Sequence, residues 1–286
     1  ASVNPADWHM IRGKPRFSRL SFGLFKPKNQ IPGLDIAGRV EEVGDGVSGL
    51  KTGDEVFGNA GWGGGLATFV VTGENELALK PANLSMEEAA SVNVAGITAL
   101  QGLRHKTRVG KGDKVLINGA SGGVGTFAVQ IAKMKGAEVT GVCSSGNHEL
   151  VRSIGADHTI DYTSEDFTRN ALKYDFILDA VGNRSTSGYQ KALTEKGTCV
   201  IVGFTTVGRL LQHSVVGSLQ SSSKGKRVLV MGTAQSNQKD LLELGRLLES
   251  GSVKPVIDRI YPMEETPEAI RYLETGRARG KVIITI

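Results

Sequence analysis

Six consecutive residues, Ala120-Ser121-Gly122-Gly123-Val124-Gly125, constrain this chain more than any others. They stand between a short apolar run, Val115–Asn118, and a stretch of helical spacing, Gly125–Lys135, with Phe127, Ile131 and Met134 on one face. A strand that turns through glycines directly into a helix opens a βαβ unit, and such a unit needs a parallel sheet covered by helices. In that context the turn reads as a dinucleotide-binding turn. A pyrophosphate there meets the N–H groups and the dipole of a helix N-terminus. A side chain at Gly122 would hold the phosphates off, and one at Gly125 would hold the helix away from the sheet. Ala120 replaces the first glycine of the usual pattern, which requires its φ to stay negative. The competing reading is a glycine turn in an α/β fold that serves another ligand.

The texture on either side agrees with this. Val139–Val142, Phe176–Ala180, Cys199–Val202 and Val228–Met231 are short, β-branched and non-alternating, as strands buried on both faces are. Glu149–Ile154 and Leu241–Glu249 have helical spacing and stop at Gly155 and Gly251. Before residue 90 the chain is different. Strand-like runs at Ile36–Val43, Glu55–Gly58 and Ala67–Val71 are separated by Gly44-Asp45-Gly46 and Thr52-Gly53-Asp54, which predicts a β-rich segment with tight turns. Lys281–Ile286 reads as a final strand. The polar stretch Ser218–Arg227 reads as an exposed loop.

Composition narrows the function classes. Only Cys143 and Cys199 occur, so a disulfide framework and a four-cysteine zinc site are excluded, and a reducing compartment, the cytoplasm, is expected. No apolar run approaches the roughly 18 residues of a membrane span. The formal net charge is +5, but the basic residues are interleaved with acids, so a nucleic-acid partner is not expected. No Ser/His/Asp or Cys/His set is apparent, and the five histidines show no metal-ligand spacing.

The second strand bears on which dinucleotide. It ends Gly141-Val142-Cys143-Ser144-Ser145, with Cys143 where NAD-binding folds place an acid for the ribose 2′-hydroxyl. Without that acid a 2′-phosphate is not repelled, and the hydroxyls of Ser144 and Ser145 can donate to it. NADPH is therefore expected. Alternatively the two serines merely cap the next helix.

The stretch Gly112-Asp113-Lys114-Val115-Leu116-Ile117-Asn118-Gly119 through Gly125, with Gln130 and Lys133, resembles the signature of the quinone oxidoreductases and zeta-crystallin, zinc-free members of the medium-chain dehydrogenase/reductase superfamily. Val3-Asn4-Pro5-Ala6-Asp7, Pro32-Gly33-Leu34-Asp35-Ile36-Ala37-Gly38, Gly53-Asp54, Gly96-Ile97-Thr98-Ala99-Leu100, Gly155-Ala156-Asp157 and Gly280-Lys281 agree in order, across nearly the whole chain. The resemblance implies an α/β protein with a Rossmann dinucleotide-binding domain, 96–234, and a GroES-like β-rich catalytic domain, 1–95 with 235–286. It places the active site in the cleft between them. Family members begin further upstream, so the first strands of the catalytic domain are expected to be missing here. The implied reaction is hydride transfer from NADPH to a quinone. Alternatives are reduction of an α,β-unsaturated carbonyl and a non-catalytic NADPH-binding role. Where zinc-dependent relatives carry metal ligands, this chain has Asn4, Leu34 and Val94. These offer no soft or imidazole donor, so no zinc is expected.

The resemblance also nominates residues. Asn4 is implied beside the nicotinamide, against a loop asparagine. His9 is a possible proton source, although a lone histidine is more often a packing residue. Asp7 is more naturally an organiser of the first helix. The cofactor-binding candidates are Thr98, the turn Ala120, Ser121, Gly122, Gly123, Val124 and Gly125, then Ser144, Ser145, Asn147, Tyr162, Val202, Gly203, Phe204 and Lys281. Tyr162 is otherwise a partly buried aromatic, and Lys281 reaches a phosphate or is simply solvated. Gly146 stands where relatives often carry a basic residue, which leaves cofactor preference less secure than cofactor class. A homodimer through the sheet edge at Val228–Met231 is the expected assembly.

Overall fold

A computed structural model describes every residue except 17, 18, 62, 106–108, 207, 210 and 215–224, with 21 and 22 described by backbone alone. The chain begins with β1 (Ser2–Val3), α1 (Pro5–Arg12), α2 (Arg19–Phe22), β2 (Asp35–Arg39), β3 (Glu55–Asn59), β4 (Leu77–Leu79), α3 (Met86–Ala90) and α4 (Asn93–Gly102). It continues with β5 (Lys114–Asn118), α5 (Gly123–Met134), β6 (Glu138–Cys143), α6 (His148–Ser153), β7 (His158–Asp161), β8 (Tyr174–Asp179), α7 (Thr186–Ala192), β9 (Leu193–Ile201) and β10 (Arg227–Val230). The last part holds α8 (Gln238–Glu249), β11 (Ile257–Pro262), α9 (Thr266–Glu274) and β12 (Lys281–Thr285). Two compact units result: Ala1–Ile97 with Gln235–Ile286, and Thr98–Ala234.

The first unit is built on a sheet of order β11-β12-β1-β2-β3-β4. Only β11 and β12 run parallel; the other pairs are antiparallel. Ser2 and Val3 pair with Ile283 and Val282, so the first and last strands lie side by side. The expected strand Ala67–Val71 is not one: Phe69 and Val71 are exposed and unpaired with any strand. β3 is already paired with β2 on one edge and β4 on the other, so it offers this segment no ladder. The expected strand Ile36–Val43 ends at Arg39, because Val40 exchanges backbone hydrogen bonds with the turn at Gly53 and Asp54.

Asp35 ties this sheet together. Its Oδ2 accepts from Ser2 Oγ (2.8 Å), Asn4 Nδ2 (2.9 Å) and Lys281 Nζ (3.0 Å). Its Oδ1 accepts from Val94 N (2.8 Å) and Asn93 Nδ2 (3.2 Å). A carboxylate removed from water costs several kcal/mol by order of magnitude unless such donors replace the solvent. Here they come from β1, from the start of α1, from α4 and from β12. Nearby, Asp7 accepts from Asn4 N (2.7 Å) and Gly33 N (3.2 Å), so it does organise the entry to α1. Burial pushes its carboxyl up to about 6.

The second unit is a six-stranded, wholly parallel sheet of order β10-β9-β8-β5-β6-β7. Counted within the unit this is 3-2-1-4-5-6 read from β7, the doubly wound arrangement that reverses direction between β5 and β8. Leu116, Ile117, Val142, Ile177 and Val200 are buried in it. Each contributes about 1.5–3 kcal/mol by leaving water, enough to offset the roughly 1–2 kcal/mol of backbone entropy lost per ordered residue. α5 is buried on nearly every side from Gly125 to Ala132. Met134, expected on its apolar face, is exposed at the last turn. Of the polar stretch Ser218–Arg227, residues 218–224 lie outside the described residues, and Arg227 already belongs to β10.

Two substitutions test these contacts. Asp35→Ala leaves the Lys281 ammonium buried without its counter-charge and should cost about 3–5 kcal/mol, read as a lower denaturant midpoint at unchanged m-value. Gly125→Ala places a methyl well inside van der Waals contact distance of the Gly119 carbonyl oxygen and 2.7 Å from Ala120 Cα. Both neighbours are backbone, so the change should destabilise by about 3 kcal/mol, the upper end for overpacking.

Candidate functional site

The glycine turn lies at the carboxyl end of β5, beside the point where the parallel sheet reverses. Its left-handed residue is Gly119 (φ 82°), one position before Ala120, so Ala120 can occupy the turn without strain. Gly122 is the N-cap of α5 and offers no side-chain cap to the first turn. Its missing Cβ would meet only the Gly119 carbonyl, at 3.4 Å, so the approach to the helix N-terminus is open. Gly122, Gly123 and Val124 are half-buried, and Gly125 and Ala120 are buried beneath them. Backbone N–H groups without side-chain acceptors, at the positive end of a twelve-residue helix, are suited to an anion.

Next to the turn is a polar group made by the tips of β5 and β6. Asn147 Nδ2 donates to Ser121 Oγ (3.0 Å) and Ser144 Oγ (3.2 Å). Asn147 Oδ1 and His148 Nε2 are buried without a hydrogen-bond partner. Orphaned polar atoms of this kind cost about 1–3 kcal/mol each, and a ligand's donors or acceptors at this spot would relieve them. Neither serine side chain caps α6: the N-cap of that helix is Asn147, with no side-chain cap bond. Cys143 is only 2% exposed, and burial, with Asp161 adding, pushes its thiol up to about 11. It is a neutral packing group beneath the serines. Tyr162, for which partial burial was the alternative, is 54% exposed, with its N–H donated to the Cys143 carbonyl (3.2 Å).

The floor of the crevice between β5 and β8 rests on Asp179, which sequence reasoning missed. This buried carboxylate accepts from Asn118 Nδ2 (2.9 Å), Tyr189 Oη (2.5 Å), Val181 N (2.7 Å) and Gly182 N (2.6 Å). It thereby holds the loop after β8 against the end of β5. Val202, Gly203 and Phe204 follow β9 and are half-buried. Gly203 lies so close to the Ala180 carbonyl that no side chain fits there. Thr98 is buried in α4. The signal that could have found Asp179 is a lone acid closing an apolar strand, Phe176-Ile177-Leu178-Asp179, since a buried acid demands donors.

The remaining candidates belong to the first unit. Lys281, expected at a phosphate or in solvent, does neither. It is 3% exposed, and its ammonium donates to Asp35 Oδ2 and to Asn4 Oδ1. A buried ammonium is held where a carboxylate is, and that fixes it here. The same two bonds orient Asn4: Oδ1 must face Lys281 and Nδ2 must face Asp35. His9 Nδ1 pairs with the Lys14 carbonyl (2.7 Å), and its ring stacks on Trp8 at 3.7 Å between centroids. Asn4 Nδ2 and Val94 N both donate to Asp35. Among the described residues, no group of three or more His, Cys, Asp or Glu side chains could hold a metal ion, and no helix is long and apolar enough to cross a membrane.

Residues 1–82 match the alcohol dehydrogenase GroES-like domain, and residues 154–284 match the zinc-binding dehydrogenase family. The chain is 37% identical over 296 residues to the 2-methylene-furan-3-one reductase of Solanum lycopersicum, covering 99% of this chain and 69% of that protein. It is 35% identical to the mitochondrial NAD(P)H oxidoreductase RTN4IP1 of Mus musculus, covering 100% of this chain and 80% of the relative. The quinone oxidoreductase from Coxiella burnetii superposes with a TM-score of 0.87 at 32% identity, covering 100% of this chain and 88% of that one. These similarities, the GroES-like segment and the doubly wound parallel sheet assign an oxidoreductase that uses a nicotinamide cofactor. The chain belongs to the medium-chain dehydrogenase/reductase family, in its quinone-oxidoreductase branch.

Proposed function

We propose that the chain binds NADPH and reduces a quinone by hydride transfer. The observation that carries this is the uncapped N-terminus of α5 beside the Ser121–Ser144–Asn147 group, with its unpartnered Asn147 Oδ1 and His148 Nε2. The helix end suits the pyrophosphate, the serine hydroxyls suit the 2′-phosphate, and the unpartnered Asn147 Oδ1 suits a ribose hydroxyl. Tyr162, Val202, Gly203, Phe204 and Thr98 are assigned to the rest of the same cofactor. Lys281 is not, because its ammonium is held in the first unit by Asp35. A second reading, reduction of an enone carbon–carbon double bond, is favoured by the similarity to a furanone reductase.

Bound NADPH supplies the hydride, and the chain has to bind, orient and polarise. With an amide and two aliphatic side chains at positions 4, 34 and 94, negative charge growing on the substrate oxygen is met by hydrogen-bond donors rather than by a metal. Asn4 has that role in this proposal. Its amide is locked by Asp35 and Lys281, and its second N–H is left to donate. His9 is the weaker assignment for a proton source. Burial lowers its pKa, which favours the neutral ring, and water serves equally well. The buried free thiols of Cys143 and Cys199 suit a reducing compartment such as the cytoplasm, and β10 is the sheet edge at which a second copy would pair.

The direct test is NADPH oxidation by the whole chain against a panel of quinones and enones. Turnover with a quinone supports the first reading, and turnover with enones alone supports the second. NADPH binding without turnover on either makes the chain a binding protein. Asn4→Ala should lower kcat about 100-fold, the usual loss for one oxyanion donor, with NADPH affinity within about twofold. Full activity in that variant removes Asn4 from the mechanism. Gly122→Ala should leave stability nearly unchanged, since its methyl meets only one atom at 3.4 Å. By standing where the phosphates approach, it should weaken NADPH and NADH alike, about tenfold, in a binding titration.

A further inference from the structure

Cofactor choice in this fold turns on charge near the adenosine ribose, and the sequence places no acid at the tip of β6. The neighbouring strand carries one. Asp161 closes β7 in direct register with Cys143, at the same carboxyl end of the sheet. The chain then turns back, and the Tyr162 N–H donates to the Cys143 carbonyl. Asp161 is half-exposed, and its Oδ1 accepts from Thr163 N (2.9 Å) and Thr163 Oγ1 (2.7 Å), which fixes where the carboxylate stands. Those two donors hold the carboxyl below the usual carboxylate range, with His148 and the Ser145 hydroxyl close enough to contribute. It is therefore ionised at neutral pH. Ser145 and His148 belong to the segment that follows β6, as do Ser144 and Asn147 of the proposed phosphate-binding group.

We propose that Asp161 is a specificity-determining residue, whose carboxylate opposes the cofactor's 2′-phosphate and limits the preference for NADPH over NADH. This rests on the cofactor assignment above and deepens it. The Ser144 hydroxyl accepts from Asn147 Nδ2 and keeps its own hydrogen to donate to a 2′-phosphate, and Asp161 supplies a like charge that disfavours it. Discrimination by a repulsive element acts on one ligand and spares the other. NADH lacks the 2′-phosphate and is indifferent to Asp161. For a carboxylate at the protein surface, screened by water and salt, the effect is about threefold to tenfold in Kd.

The experiment is calorimetric titration of the whole chain and of Asp161→Asn with NADPH, NADH, 2′,5′-ADP and 5′-AMP. The last two carry only the adenosine end. Asparagine keeps the oxygen that accepts from Thr163 and removes the charge. The expected result is NADPH and 2′,5′-ADP binding about threefold to tenfold tighter, with NADH and 5′-AMP within about twofold, and a gain that shrinks at high salt. If Asp161→Asn does not fold, Asp161→Ser is read by the same criteria. Equal changes for both nucleotides, or no gain for NADPH, overturn the role of Asp161 and leave the cofactor assignment standing. No binding of any of the four to the unaltered chain overturns the cofactor assignment, and this proposal with it.

Discussion

The buried carboxylate of Asp35 is the interaction on which the first unit depends. Taken alone it would be among the most expensive groups in the molecule, since desolvating an isolated ion exceeds what any single hydrogen bond returns. Its donors come from elements far apart in the chain: Ser2 and Asn4, Asn93 and Val94, and Lys281. Satisfying the one charge therefore fixes where the last strand lies, how α1 begins and how the Asn4 amide is turned. A side-chain amide and a backbone N–H gather around a carboxylate that answers a lysine.

The second unit repeats this logic with neutral donors. Asp179 draws on a side-chain amide, a phenol and two backbone N–H groups. Burial, with Asp179 adding, drives the Tyr189 phenol upward, so it remains a donor throughout the physiological range. The loop after β8 is held against β5 at the place where the sheet reverses, and the crevice is shaped before any ligand arrives. Gly125 acts from the other side, because the absence of its Cβ lets α5 settle on β5.

At the carboxyl ends of β6 and β7 the electrostatics are mixed rather than one-sided. Serine hydroxyls that accept from Asn147 keep hydrogens to donate, and the Asp161 carboxylate stands one strand away. Position 143 is a buried thiol and contributes no charge. Strand neighbours in a parallel sheet deliver their carboxyl ends to one edge, so residues far apart in sequence share the field felt by one ligand.

What the sequence determined by itself was local and periodic. The run of apolar strands, the helix after Gly122 and the glycines between them were legible because each depends on neighbours a few residues away, and together they imply a parallel, covered sheet. Ala67–Val71 misled because an apolar, β-branched run says that a segment can be a strand, while pairing is decided by the rest of the sheet, and β3 is taken on both edges. Lys281 was misjudged for a related reason: a lysine in a terminal strand is usually solvated, and only the fold brought Asp35 and Asn4 to it. Asp161 and Asp179 were passed over because an acid at a strand end signals at most that donors must be near, and does not say which ones. Their significance comes from strand order and register, which decide what each charge faces, and those are set by packing between segments tens of residues apart.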